Sequence, residues 1–90
     1  EEKYNKINKD KTKKFNYNIK VADFYFKDTA LDMIKKIKII SSIKNIKVDK
    51  LSKTQYRVFL GPFKNINSLQ NAFNDISILE FENIEIIRND

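Results

Sequence analysis

The most informative pattern of positions along the chain lies in the stretch YRVFLGPF, residues 56–63, which also holds the only glycine and the only proline of the chain. Val58 and Leu60 alternate with Arg57 and Phe59, and this two-residue period predicts a strand with one buried and one exposed face. The Gly-Pro pair that follows ends the strand, because glycine permits backbone angles that other residues avoid and proline has no N–H for the ladder. The pattern therefore indicates one strand with a sharply defined end.

A weaker copy of the same pattern lies 39 residues upstream. The first three matched positions follow the strand period, the fourth lies three residues further on, and the last four follow helical spacing, so each copy predicts a strand followed by a helix. The matched pairs are Tyr17/Tyr56, Ile19/Val58, Val21/Leu60, Phe24/Phe63, Ala30/Leu69, Ile34/Phe73, Ile37/Ile76 and Ile40/Leu79. One strand-then-helix unit therefore occurs twice.

The segments between and after the two copies predict two more strands. Residues 45–51 alternate with Ile46 and Val48 inward, and residues 83–88 alternate with Ile84 and Ile86 inward. The resulting order is β-α-β-β-α-β, with Ser52-Lys53-Thr54 as a hairpin turn and capping boxes at Thr29-x-x-Asp32 and Asn67-x-x-Gln70. This order favours a ferredoxin-like α+β fold, in which a four-stranded antiparallel sheet carries both helices on one face.

The first 16 residues differ from the rest of the chain, because they are dense in Lys and Asn and show no apolar period. We interpret residues 1–16 as a flexible basic linker or tail, and residues 17–90 as the folded domain. A basic arm that binds an acidic polymer is the alternative for the tail. The net charge of +6 divides evenly between the two parts, so the domain itself is only mildly basic. Without an initial Met or a signal-like apolar segment, the chain is interpreted as a piece of a larger protein.

The composition argues against catalysis and against a bound metal or other cofactor. The chain contains no His and no Cys, and its single Gly cannot build a phosphate-binding loop. Asp23 and Asp28 could be proposed as an acid/base couple, but Asp28 is better explained by the helix that begins there. We therefore expect no enzymatic activity, no metal site and no cofactor.

The sheet face opposite the helices remains open in this fold, and we expect binding there. Its predicted residues combine cations and amides with one aromatic ring, Phe59, in a position where a ligand could reach them. The residues predicted to face outward on the sheet are Asn18, Lys20, Ala22, Lys47, Asp49, Gln55, Arg57, Phe59, Glu85 and Ile87.

The two strand motifs resemble those of the SPOR domain, the sporulation-related repeat of bacterial envelope proteins. YRVFLGPF closely matches the second motif of that family, and YNIKVADF, residues 17–24, is a looser match to the first. The resemblance covers residues 17–88 and implies a βαββαβ fold, no catalysis, and binding to peptidoglycan glycan strands stripped of stem peptides at the division septum. It also implies a monomer in the periplasm or cell envelope, as part of a larger anchored or lipidated protein, with no membrane insertion by this fragment.

The resemblance also implies a glycan site on the open face and at the end of the first strand. Cations would bind the lactyl carboxylates of the glycan, Arg57 in a two-pronged manner, and Phe59 would offer an apolar platform to a sugar ring. Amide side chains would bond acetamido or hydroxyl groups. The candidate glycan-binding residues are Asn18, Lys20, Asp23, Lys47, Gln55, Arg57 and Phe59.

Purely structural roles remain open for the same residues. Lysines can solubilise strands, Phe59 can pack against the tail or a neighbouring domain, Arg57 can pair with Asp49 or Glu85, and Asp23 can cap backbone amides.

Two other functions also remain open, namely an RNA-recognition-like domain and a protein-docking or dimerisation module that uses Phe59 and Ile87. We expect no nucleic acid, because the strand lacks the paired aromatics of the RNA-binding motif.

Overall fold

The computed structural model describes residues 14–89, which form one four-stranded sheet with two helices. All strand pairs are antiparallel and the strand order is β2-β3-β1-β4. This arrangement confirms the ferredoxin-like α+β fold. The elements are β1 (Tyr17–Phe24), α1 (Lys27–Ile40), β2 (Ile46–Ser52), β3 (Gln55–Phe63), α2 (Ile66–Ile76), a short 3-10 helix (Ser77–Leu79) and β4 (Glu85–Arg88).

The core consists largely of the positions that repeat at the 39-residue offset. Ile19 and Val58 are both fully buried, and so are Ile37 and Ile76 in the two helices. The inward residues of the two central strands thus meet the apolar faces of α1 and α2, which leaves the other sheet face uncovered. The complete set of buried apolar residues is Ile19, Val21, Ala30, Ile37, Ile43, Val58, Leu60, Phe63, Leu69, Ala72 and Ile76.

Two irregularities interrupt the ladder between β1 and β3, one in each copy of the repeat. In β1, Lys20 lies opposite Phe59 and Ala22 lies opposite Val58, so β1 holds one extra residue at this point. The other irregularity places the extra residue in β3 near Gly61. The sequence analysis placed Ala22 on the open face, but Ala22 packs against the core because of the first bulge. The same bulge turns the next residue, Asp23, toward the open face.

Both predicted capping boxes are wrong, because each helix begins earlier than expected. The N-cap of α2 is Asn65, whose side chain accepts a hydrogen bond from the backbone N–H of Ser68 at 2.8 Å. The N-cap of α1 is Phe26, which offers no side-chain hydrogen bond. Phe26 and Asn65 are again 39 residues apart, so the two helices begin at equivalent positions and only one has a polar cap.

We predict that Phe26→Asn is more stable than Phe26→Ala by about 1 kcal/mol, since Asn is a good N-cap residue and Ala is a poor one. Phe26 has the extended backbone of an N-cap (φ −112°, ψ 145°), so the new amide is positioned to accept from the N–H of Thr29. Both substitutions remove the edge contact between the Phe26 and Tyr25 rings, so their difference isolates the cap. Urea denaturation measures it, and Asn65→Ala should cost a similar amount. Equal stabilities of the two Phe26 variants would contradict the prediction.

The two ends of the described chain meet beside β4. Arg88 is paired with Tyr17 in the ladder, and the N–H of Asn89 donates to the carbonyl of Asn16 at 2.8 Å. Phe15 packs against the core and against the Tyr17 ring. Residues 14–16, which the sequence assigns to the tail, therefore contact the folded unit, whereas the rest of the predicted tail, residues 1–13, lies outside the described residues.

The last strand is shorter and more exposed than predicted. It begins at Glu85 rather than at residue 83, and Ile86 is 49% exposed although its alternation predicted burial. Ile84 packs against the core from the segment before the strand. The strand lies at the edge of the sheet, and Ile86 lines an open cleft beside α2, so its side chain faces the helices but is only half covered.

Candidate functional site

The open sheet face is built from cross-strand rows of side chains. In an antiparallel sheet, residues directly opposite each other point to the same face, so the register places the outward residues in defined rows. One row runs Lys47–Phe59–Lys20–Glu85 across all four strands. A second row runs Asp49–Arg57–Asp23 across three strands.

Phe59 lies in the middle of the first row, between the strand positions of two lysines. Its ring is partly exposed and is not part of the hydrophobic core. The ammonium of Lys20 is 3.8 Å from a carboxylate oxygen of Glu85, and only 16% of the Lys20 side chain is exposed. Within residues 14–89, Lys47 forms no ion pair. This row thus offers an aromatic surface flanked by one paired and one unpaired cation.

The second row contains a hydrogen-bonded cluster of three predicted site residues. Arg57 Nε donates to Asp23 Oδ1 at 2.8 Å, and Arg57 Nη2 donates to Asp23 Oδ2 at 3.1 Å. Gln55 Nε2 donates to the same Oδ2 at 2.8 Å. The two-pronged fit that the sequence analysis expected between Arg57 and a ligand carboxylate is thus made with Asp23. Arg57 therefore pairs with Asp23 and not with Asp49 or Glu85. The Asp23 carboxylate accepts from side chains, and not from backbone amides as a cap would.

The cluster shifts the acidity of both charged partners. The hydrogen bond from Arg57 lowers the pKa of Asp23 below its usual value; burial opposes the shift, while Gln55 and the charges of Arg57 and Lys20 reinforce it. The pKa of Arg57 is raised, mainly by its hydrogen bond to Asp23. Burial lowers this pKa, and the negative charges of Asp23, Glu85 and Asp49 raise it further. Asp23 is therefore a carboxylate, and Arg57 a guanidinium, throughout the neutral range.

We predict that Asp23→Asn lowers the free energy of unfolding by only about 0.5–1 kcal/mol near neutral pH, because solvent screens a pair at the surface. The folded-state pKa of Asp23 lies below its unfolded value of 3.8, so the stabilisation is complete above that pH and is lost as the pH falls through the folded pKa. Denaturation curves of wild type and variant should therefore converge below pH 3.8.

The matched control is Asp49→Asn, which removes the carboxylate on the other side of Arg57. Asp49 lies opposite Arg57 in the ladder but forms no ion pair with it among the described residues. Its removal should change stability less than removal of Asp23. An Asp23→Asn effect that persists unchanged in acid would show that the ion pair is not its cause.

Asn18 lies at the other end of β1 from the cluster. Its amide exchanges two hydrogen bonds of 3.0 Å with the amide of Asn89, and its ladder partner is Ile87. It is five residues from Asp23, which corresponds to about 16 Å of strand. The structure therefore brings Asp23, Gln55 and Arg57 together, places Lys20, Phe59 and Lys47 in the adjoining row, and leaves Asn18 apart.

Two features of this site were not predicted from the sequence. Glu85 was considered as a partner for Arg57, but it pairs with Lys20. The bulge in β1 was not predicted either, although the apolar spacing signals it, because the step from Val21 to Phe24 is three residues instead of two. That step is what allows Asp23 to join the open face.

A cleft of about 420 Å³ adjoins this face beside the bulge. It is lined by β1 from Lys20 to Asp23 and by residues 80–83 of the segment before β4, which adds Glu80 and Glu82 to its walls. Within the part of the chain that the structure describes, no group of acidic, His or Cys side chains could hold a metal ion. Among the same residues, no helix has the length and apolar character needed to cross a membrane.

Comparison with solved structures supports the resemblance seen in the motifs. The chain superimposes on the crystal structure of the SPOR domain of RlpA from Pseudomonas aeruginosa with a TM-score of 0.63, covering 81% of this chain and 99% of that one. The sequence identity is 17%, so this similarity shows a shared fold. No protein-family profile matches the sequence, and no curated protein matches it. The chain has the fold of a SPOR domain.

Proposed function

We propose that this domain is a non-catalytic peptidoglycan-binding module that recognises glycan strands stripped of stem peptides at the division septum. The proposal joins three findings: the SPOR fold, the close match of YRVFLGPF to the motif of that family, and an open sheet face that bears aromatic, amide and charged side chains. It places the domain in the periplasm or cell envelope, as one part of a larger protein.

The observation that carries this proposal is the position of Phe59 at the centre of the uncovered face. An aromatic ring on a flat sheet can stack on the apolar face of a sugar, and the neighbouring rows supply hydrogen-bonding groups around it. The ring lies outside the hydrophobic core and is partly exposed, so a ligand can reach it. The proposed glycan-binding residues are Asn18, Lys20, Asp23, Lys47, Gln55, Arg57 and Phe59.

Sedimentation with peptidoglycan sacculi tests the proposal. We expect the purified domain to pellet more strongly with sacculi from which an amidase has removed the stem peptides than with intact sacculi. Phe59→Ala should raise the apparent Kd for stripped sacculi about tenfold, which corresponds to the loss of about 1.4 kcal/mol. Lys20→Ala should weaken pelleting as well, since the Lys20 stem lies beside the ring position in the same row.

Matched controls come from the helical side of the domain. Lys36→Ala and Ile39→Ala remove one lysine and one large apolar side chain from the exposed surface of α1, and they should leave pelleting unchanged. Negligible pelleting of the wild type with both kinds of sacculi would overturn the proposal and would favour the protein-docking alternative. Binding to single-stranded RNA that weakens by orders of magnitude at moderate salt would favour the RNA-recognition alternative instead.

A further inference from the structure

The charges on the open sheet face cancel. Three cations and three carboxylates occupy its two charged rows, although the whole chain carries a net charge of +6. Two of the cations are directly paired, Lys20 with Glu85 and Arg57 with Asp23. The third, Lys47, shares its face of β2 with Asp49, two residues along the strand. The charged residues of the face are Lys20, Lys47, Arg57, Asp23, Asp49 and Glu85.

The excess positive charge of the described chain lies elsewhere. Helix α1 alone carries four lysines against two aspartates, and it lies on the opposite side of the sheet. The cleft that adjoins the open face adds Glu80 and Glu82. A ligand on the open face therefore meets no excess of cations among the residues of that face, and the cleft at the bulge adds acidic side chains.

The strongest anion-binding group of the face is also already occupied. Arg57 Nε and Nη2 both donate to Asp23. Three carboxylates together hold the pKa of Arg57 above its usual value. A ligand carboxylate would have to displace Asp23 from Arg57 and would then leave Asp23 beside a second negative charge. Such an exchange gains little, because one ion pair is merely substituted for another.

We infer that the open face recognises the uncharged, N-acetylated sugar backbone of the glycan and gains no affinity from its lactyl carboxylates. This inference rests on the proposed function and specifies the ligand chemistry of the same site. Phe59 supplies the apolar platform, and the side-chain oxygen of Gln55, which accepts no hydrogen bond within residues 14–89, can accept one from an acetamido N–H. The charges of the two ion pairs balance each other and hold Gln55 and the neighbouring strands in place, so the paired residues contact the ligand through uncharged parts such as the Lys20 stem.

A single chemical change in the ligand tests this inference. The purified domain is titrated with a peptide-free glycan tetrasaccharide and with the same tetrasaccharide after conversion of its lactyl carboxylates to neutral N-methylamides. Isothermal calorimetry or NMR titration at low salt and at about 300 mM salt, where charges are screened beyond about 6 Å, gives the four dissociation constants. We expect the four values to agree within about threefold, that is within about 0.7 kcal/mol.

The outcomes separate the inference from the proposed function. If the natural glycan binds at least about tenfold more tightly than the amide at low salt, and loses this advantage at high salt, the inference is overturned while the proposed function stands. If neither ligand binds, both are overturned. If the domain binds both tetrasaccharides equally well but Lys47→Ala weakens binding of only the natural one, the inference also fails. A cation would then contribute to recognition of the carboxylate.

Discussion

Gly61→Ala should destabilise the domain by about 3 kcal/mol, because the substitution combines backbone strain with a steric clash. For a domain of this size the loss corresponds to a fall in Tm of about 12–24 °C. Gly61 is buried and has a φ of +130°, a region that residues with a side chain rarely adopt. Thermal and urea denaturation of the variant measure the effect directly.

The steric part of this effect arises because β1 passes close to Gly61. A Cβ at this position would collide with Asn18 Oδ1 and would lie 3.1 Å from the carbonyl oxygen of Tyr17. The Asn18 side chain can move, but its amide is bonded to Asn89, and the backbone of Tyr17 belongs to the ladder. The clash therefore has one flexible and one rigid component.

A double-mutant cycle separates the two components. Asn18→Ala alone should cost about 1 kcal/mol, through the loss of its hydrogen bonds with Asn89. In the Asn18→Ala background, Gly61→Ala should cost less than in wild type but still about 2 kcal/mol, because the positive φ and the Tyr17 contact remain. Full recovery in the double mutant would show that the side-chain collision alone matters. A Gly61→Ala variant as stable as wild type would contradict the prediction altogether.

The fold could be predicted from the sequence because most of its core positions recur at a fixed offset along the chain. Six of the eight pairs at the 39-residue offset have matching burial, for example Val21 with Leu60 and Ala30 with Leu69. Periodicity reports which face of an element is buried, so it also identified the uncovered face of the sheet. The helix starts were not predictable in the same way, since Phe26 is an N-cap with no polar side chain to mark it.

The sequence predicted which side chains lie on the open face, but it did not predict which of their charges form ion pairs. Alternation placed Lys20, Arg57 and Phe59 on one face, because side-chain direction in a strand depends only on local geometry. Which charges pair depends on register, and a one-residue bulge shifts register for the rest of the strand. The bulge between Lys20 and Ala22 is the reason that Arg57 meets Asp23.

Ile37→Ala and Ile76→Ala should each destabilise the domain by about 2–5 kcal/mol, the range for truncation of a fully buried aliphatic side chain. Both side chains are fully buried, one in each helix, and they occupy equivalent positions of the repeat. A domain of about 75 residues has a total stability of roughly 4–11 kcal/mol, so either substitution removes a large part of it. Urea denaturation monitored by circular dichroism gives both values.

The repeat supplies its own controls for this comparison. Ile39 and Ile78 are also 39 residues apart, but they are 82% and 73% exposed. Their substitution by Ala should change stability by no more than about 0.5 kcal/mol, since no cavity forms at an exposed site. A large effect at Ile39 or Ile78 would reveal that these exposed side chains are covered in solution. Small effects at Ile37 and Ile76 would contradict the placement of the core between the two helices and the sheet. Large losses of stability at the buried pair and small losses at the exposed pair would show that the repeated core supplies much of the free energy of unfolding of the domain.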